Sequence, residues 1–187
     1  MKDVYETIDI LRNNGVAIIP TDTLYGIVGN AFNQETVERI YRLRKRDLNK
    51  PLIILIKDIT DIHKFDIRLK DTDAHVLNKL WPNKISVVLE CTSSDFTYLH
   101  RGTNSLAFRI PNNEILLHII SKTGPLVAPS ANSQGEPPAT TIQRARKYFS
   151  NNVDSYLDGG ILSSKPSTVV SLRNGEVRII RKGAVIL

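Results

Sequence analysis

The sequence has 187 residues, enough for one well-buried domain and short for two. With 41% hydrophobic and 24% charged residues it has the make-up of an ordinary globular chain, and no apolar run approaches the ~18 residues of a membrane span. The net charge of +6 favours anionic partners, and the single Cys91 excludes an internal disulfide, which suits a reducing cytoplasm.

The N-terminal M-K-D-V-Y-E mixes acids with apolar residues, against a signal peptide. Val4, Ile8 and Leu11 recur at helical spacing and Gly15 is placed to end that helix. Val16 to Ile19 reads as a buried strand. It runs into Pro20, the turn Thr21-Asp22-Thr23, and Tyr25-Gly26 and Gly29, where tight backbone is expected. Asn33 caps a helix with Val37, Ile40 and Tyr41 inward, whose end turns basic through Arg39, Arg42, Arg44, Lys45, Arg46 and Lys50. Leu52 to Ile56, apolar on both faces, reads as a central strand.

Asp58 to Phe65 predicts a short helix or turn. Asp71 or Thr72 caps a helix that ends before Pro82. Strands follow at Ile85 to Cys91 and Ser105 to Ile110, separated by an aperiodic loop from Thr92 to Asn104. A helix over Glu114 to Ser121 stops at Thr123-Gly124-Pro125, before a short strand, Leu126 to Ala128. Beyond Pro129-Ser130-Ala131-Asn132 and the Gly/Pro turn at 135–138, Thr140 or Thr141 caps a basic helix with Arg144, Arg146 and Lys147. Ser155 to Leu157, Thr168 to Leu172 and Val177 to Ile180 read as strands, the last two joined by the hairpin signal Asn174-Gly175. Parallel-type connections early and a hairpin late predict one domain, 1–187, built on a mixed, twisted α/β sheet.

Common catalytic signatures are missing. There is no P-loop and no G-x-S-x-G elbow, and His63, His75, His100 and His118 fall at no metal-ligand spacing. Four clusters at strand ends remain. Thr21 and Thr23 fit a small polar ligand or a simple turn equally well. Arg44, Arg46 and Lys50 have the geometry to clamp phosphates, or to serve as a solvated helix end. Ser130 and Asn132 follow a short strand. Arg109 ends an apolar strand, where its charge needs a partner or a ligand.

The phrases P-T-D-T-L-Y-G (20–26), R-K-R-D-L-N-K-P-L (44–52), S-L-A-F-R-I-P (105–111), P-S-A-N-S-Q-G (129–135) and S-T-V-V (167–170) occur in this order. Together they resemble the YrdC-type threonylcarbamoyl-AMP synthase family. That resemblance implies a YrdC-like fold, a twisted mixed, mostly parallel α/β sheet with flanking helices around a concave basic cavity. It also implies formation of L-threonylcarbamoyladenylate and diphosphate from L-threonine, bicarbonate or CO2, and ATP. The product would pass to a separate transferase complex that modifies adenosine 37 of tRNA. By similarity, Thr23, Arg109, Ala128 (backbone) and Ser167 would hold threonine. Arg46, Lys50, Ser105, Ser130, Pro138 (backbone) and Arg181 would contact ATP. Arg44, Arg46, Ser130 and Asn132 would carry the chemistry, and ATP chemistry implies Mg2+ on the triphosphate.

Three positions depart from the family pattern. Arg44 stands where lysine is usual, Leu55 where some members have a threonine-contacting histidine, and Trp81-Pro82-Asn83-Lys84 replaces Trp-Pro-Gly-Pro. The linker and second domain of longer members are not seen in the sequence. Two other readings stay open: an RNA-binding module for tRNA or double-stranded RNA using the basic stretches, and a paralogue of the same fold with another carbamoyl or nucleotide substrate.

Overall fold

A computed structural model describes residues 2–187. Among these residues nine strands form one sheet in the order β7-β1-β2-β6-β3-β5-β4-β8-β9. They are β1 Ala17–Pro20, β2 Tyr25–Asn30, β3 Ile53–Leu55, β4 Ile85–Glu90, β5 Ser105–Arg109, β6 Leu126–Val127, β7 Ser155–Tyr156, β8 Thr168–Arg173 and β9 Glu176–Arg181. Six α-helices flank it: α1 Lys2–Arg12, α2 Gln34–Arg44, α3 Asp71–Leu80, α4 Thr97–His100, α5 Glu114–Thr123 and α6 Ile142–Phe149.

The sheet is mixed, as expected, but not mostly parallel. Only β1–β7, β3–β5 and β4–β8 run parallel, while the other five neighbour pairs are antiparallel. The reason lies in β2, read from its glycines as tight backbone. It folds straight back on β1 as a hairpin, then pairs antiparallel with β6. Gly29 sits mid-strand because a Cβ there would collide with Thr36 and Ile40 of α2. The loop expected from Thr92 to Asn104 contains a 3-10 turn and α4.

Two of the expected caps hold, Asn33 and Thr141. The helix α3 instead begins at Asp71 itself, behind Lys70, which makes no side-chain cap, so neither Asp71 nor Thr72 is the cap expected there. Asn33, Asn113 and Thr141 accept hydrogen bonds from the N–H groups of Thr36, Leu116 and Arg144, as N-caps should. One face of the sheet packs Ile18, Ile27, Ile54, Phe108 and Val170 against α2, α3 and α6. The opposite face packs Ala17, Val28, Leu55 and Leu126 against α1 and α5. That second layer stops short of β4, β8 and β9. Beyond it the same face carries the cross-strand neighbours Ala107, Val88 and Ser171, all half-buried. At this end the sheet is therefore covered on one side only.

Candidate active site

Around a cavity of about 230 Å³ the ends of β1, β3, β5, β6 and β9 converge with the turn after α2. Among the described residues its lining includes Arg44, Arg46, Arg109 and Arg181, and no carboxylate. Like charges gathered away from water perturb one another. Burial, followed by the charge of Arg46, brings the Arg44 guanidinium down to about 10. Burial likewise lowers Arg46, Arg109 and Arg181, with the charge of Arg181 adding to the first two. Arg44 thus stays cationic at neutral pH, and an anion in the cavity would favour the charged form of all four.

Arg44 is the last residue of α2, and Lys45 (φ 50°) caps the helix in the left-handed conformation and turns the chain away. The Arg44 side chain is buried against the 130–136 loop. Its Nε donates to Asn132 O at 3.1 Å, and its Nη2 to Asn132 Oδ1 at 3.0 Å and Ser130 Oγ at 3.3 Å. Nη1 is buried with no partner. Asn132 does not line the cavity. Its Oδ1 accepts from Arg44 and Ser130, and its Nδ2 donates to the carbonyls of Ser133 and Glu136 at 2.9 and 2.7 Å. It aims Arg44 rather than meeting a ligand. Arg46 spends Nε and Nη2 on the carbonyls of Lys50 and Pro51.

Arg109 ends β5 at 4% exposure, and its Nη2 lies 3.2 Å from Asp22 Oδ1. The charge expected to need a partner or a ligand has both a partner and room for a ligand, because its Nε is buried and unpaired. Asp22 itself sits between the two threonines of the turn and was not singled out from sequence, although the charge on Arg109 called for such a group. Both threonines of that turn line the cavity. Thr21 Oγ1 donates to Leu24 O at 2.7 Å and accepts from the Thr23 N–H at 3.1 Å, so it builds the turn. It also accepts from the Leu24 N–H at 3.3 Å and lies 3.0 Å from Thr23 Oγ1, whose side chain lines the cavity.

On the opposite wall, Ser167 Oγ lies 2.9 Å from Ser86 Oγ, and Ser167 O accepts from Arg181 Nη2 at 2.8 Å. Arg181 reaches this wall through a bulge. Ser171 opposes Arg178, yet two residues earlier Val169 opposes Arg181, so Ile180 is the extra residue and Arg181 turns to the cavity face. Gly183 closes the corner, since a Cβ there would run into the Pro166 and Ser167 backbone.

Of the sequence-stated site residues, Thr23, Arg44, Arg46, Arg109, Ala128, Ser130, Pro138, Ser167 and Arg181 line this one cavity. Lys50 does not. Its side chain is 60% exposed and its Nζ lies 3.8 Å from Asp47. Ser105 lines a second depression of about 600 Å³ with Val88 and Ser171. It shares the Arg109 face of β5, because side chains two and four residues apart on a strand point the same way. Leu55 lies in the core under α1 and α5 and does not line the cavity. Leu24, Pro51, Leu52 and Ile53 line the cavity without having been assigned to it; Leu52 and Ile53 read only as a buried strand.

The Sua5/YciO/YrdC family model, described as "Telomere recombination", matches residues 9–183. The chain belongs to this family. It is 30% identical over 176 residues to the putative threonylcarbamoyl-AMP synthase of Methanocaldococcus jannaschii, covering 94% of this chain and 83% of that protein. With the threonylcarbamoyl-AMP synthase of Bacillus subtilis it shares 28% identity over 179 residues, 94% of this chain and 52% of that one. Pyrococcus abyssi Sua5 complexed with L-threonine superposes with a TM-score of 0.88 at 26% identity, over 96% of this chain and 54% of that chain. Escherichia coli YciO shares the fold, with a TM-score of 0.84 at 20% identity over 96% of this chain and 88% of that chain. The chain thus spans about half the length of the Bacillus and Pyrococcus proteins. Among the described residues no helix is long and apolar enough to cross a membrane.

Proposed function

We propose that this member of the family is a threonylcarbamoyl-AMP synthase, a nucleotidyltransferase acting on L-threonine, bicarbonate or CO2, and ATP. The observation that carries the reading is the convergence of four guanidinium groups on one cavity, two of them with a buried nitrogen left without a partner. Relatives that bear this enzyme's name support it, as does the related Sua5 bound to L-threonine.

The chemistry explains why arginines rather than a strong base dominate. The threonine amine, once neutral, forms an N–C bond to CO2 and gives up a proton, leaving a carbamate anion. A carbamate oxygen then attacks the α-phosphorus of ATP, and the bond to the β-phosphate oxygen breaks, its electron pair leaving with diphosphate. Nucleophile and leaving group are both anions. Holding them in line and neutralising their charge supplies most of what catalysis needs. In this reading the Arg109 Nε takes the threonine carboxylate, while Thr23 and Ser167 offer hydroxyls. The Ala128 N–H is committed to Ile53 O at 2.8 Å, so its carbonyl is what it can present to the amine. Arg44 Nη1, Arg46, Ser130 and Arg181 would hold the phosphates.

The nucleoside would run along the open sheet face towards Ser105, with the Pro138 carbonyl beside it; Lys50 would have to swing from Asp47 to reach a phosphate. No group of three or more metal-ligating side chains occurs among the described residues, so Mg2+ would enter on the nucleotide's own phosphates. The product would serve tRNA modification through a separate transferase.

The test is diphosphate release from ATP with labelled bicarbonate. Release should depend on threonine, and Arg46→Ala should lower it at least about 100-fold with the fold intact. Release indifferent to threonine points to the paralogue reading, and no release at all removes the synthase.

A further inference from the structure

Tyr41 lines no part of the cavity, yet it is tied to the loop that carries Arg46. It lies fully buried on the inner face of α2, three residues before Arg44. Its Oη donates to Lys50 O at 3.0 Å, and Arg46 Nε donates to the same carbonyl at 3.0 Å. Arg46 Nη2 donates to the next carbonyl, Pro51 O, at 3.1 Å, and the Arg46 N–H returns to Tyr41 O at 3.0 Å. One phenol therefore closes the base of the 45–51 loop, with Arg46 braced across it. From its other side Tyr41 is fixed by Arg101, whose guanidinium carbon lies 4.2 Å from the ring centroid. Arg101 Nη2 is in turn paired with Glu38 Oε1 at 2.8 Å, one turn earlier on α2. Burial raises the phenol above its ordinary value against the pull of Arg101, so the O–H stays a donor across the neutral range.

From this geometry we infer that Tyr41 is a positioning residue for polyphosphate, its hydroxyl fixing the carbonyls that aim Arg46 into the cavity. The inference rests on the ATP reading above. With Nε and Nη2 held by carbonyls, the outer edge of the Arg46 guanidinium is what remains for an anion. Without the phenolic hydroxyl, Lys50 O keeps one donor instead of two, the loop gains freedom, and ordering it again opposes binding.

The test uses the intact chain and inorganic triphosphate, measured by calorimetry, so that turnover is not needed. Tyr41→Phe keeps the ring under Arg101 and should weaken triphosphate binding about tenfold. Arg46→Ala should weaken it too, and Tyr41→Phe added to Arg46→Ala should change nothing more, because the tyrosine acts through that arginine. A tyrosine with only a structural role would cost the same factor in both backgrounds. That result overturns the assignment, as does unchanged binding in Tyr41→Phe or a wild-type chain that binds no triphosphate. The synthase reading fails separately: a wild type that binds triphosphate but releases no diphosphate from ATP, threonine and bicarbonate leaves Tyr41 judged by the double-variant comparison alone.

Discussion

Arg44 shows how a departure from a family pattern can be accommodated by its surroundings. A lysine is a point charge on a flexible stem, whereas the guanidinium here splits its donors between Asn132 and Ser130 and keeps Nη1 for a ligand. The exchange has a readable consequence in pH. Arg44 must be charged to hold phosphate, so its contribution falls as pH rises through its folded value of about 10. An unperturbed lysine titrates about two units below arginine, and the same burial and the same Arg46 would lower it further. Arg44→Lys should therefore remain active near neutrality, while the alkaline fall of its kcat/KM for ATP moves about two units down from the wild type's. Superimposable alkaline limbs would show that some other group sets them.

At the scale of elements, α2 does the most work, because its last turn carries Arg44, its inner face carries Tyr41, and its seat on β2 decides where both point. That seat is Gly29, where any Cβ would meet the Thr36 methyl and Ile40. Gly29→Ala should destabilise the fold by about 1–3 kcal/mol through overpacking. Thr36→Ser added to it removes the methyl, keeps the hydroxyl that donates to Asn14 O at 2.7 Å, and should recover most of the loss in denaturant unfolding. No recovery would mean that the clash is relieved elsewhere.

The same glycine explains what the sequence withheld. Helices were legible, and so were the caps Asn33 and Thr141, which sit directly before apolar periodicity, while the start of α3 behind Lys70 was read one or two residues late. So was the 174–175 hairpin, whose two residues both take the positive φ their types allow. β2 was not legible, because Gly26 and Gly29 interrupt its apolar run for reasons of tertiary contact, and a single sequence cannot distinguish a close approach from a turn. Strand order, and with it the antiparallel majority, depends on partners far along the chain. Within the site, strand-end arginines and hydroxyls could be foreseen from the cost of burying them. The hidden tasks of Asn132 and Asp22 could not, since both act through another side chain.

On the whole molecule the basic excess separates into two populations. Of the stretch from Arg39 to Lys50, Arg44 faces the cavity, Arg46 is braced at its rim, and Arg39 is paired with Asp154 at 2.6 Å. Arg42 and Lys45 of that stretch, with Arg144, Arg146 and Lys147 of α6, are exposed to solvent. The two populations respond differently to salt. Raising salt from about 0.1 M to about 1 M shortens the screening length from about 10 Å to about 3 Å, which removes the long-range attraction of a net +6 surface for polyanions. Partly buried guanidinium groups in contact with a ligand are screened far less. If the exposed groups only steer ATP, its KM should rise several-fold over that range, kcat should hold, and the KM for zwitterionic threonine should barely move. An RNA-binding surface built on the same exposed cations would behave otherwise, because each phosphate it neutralises releases a counterion and steepens the salt dependence. Titrating tRNA at both salt levels alongside the kinetics separates the cases: binding that is weak and nearly flat with salt assigns the basic excess to nucleotide capture, and tight binding with a steep slope assigns it to RNA.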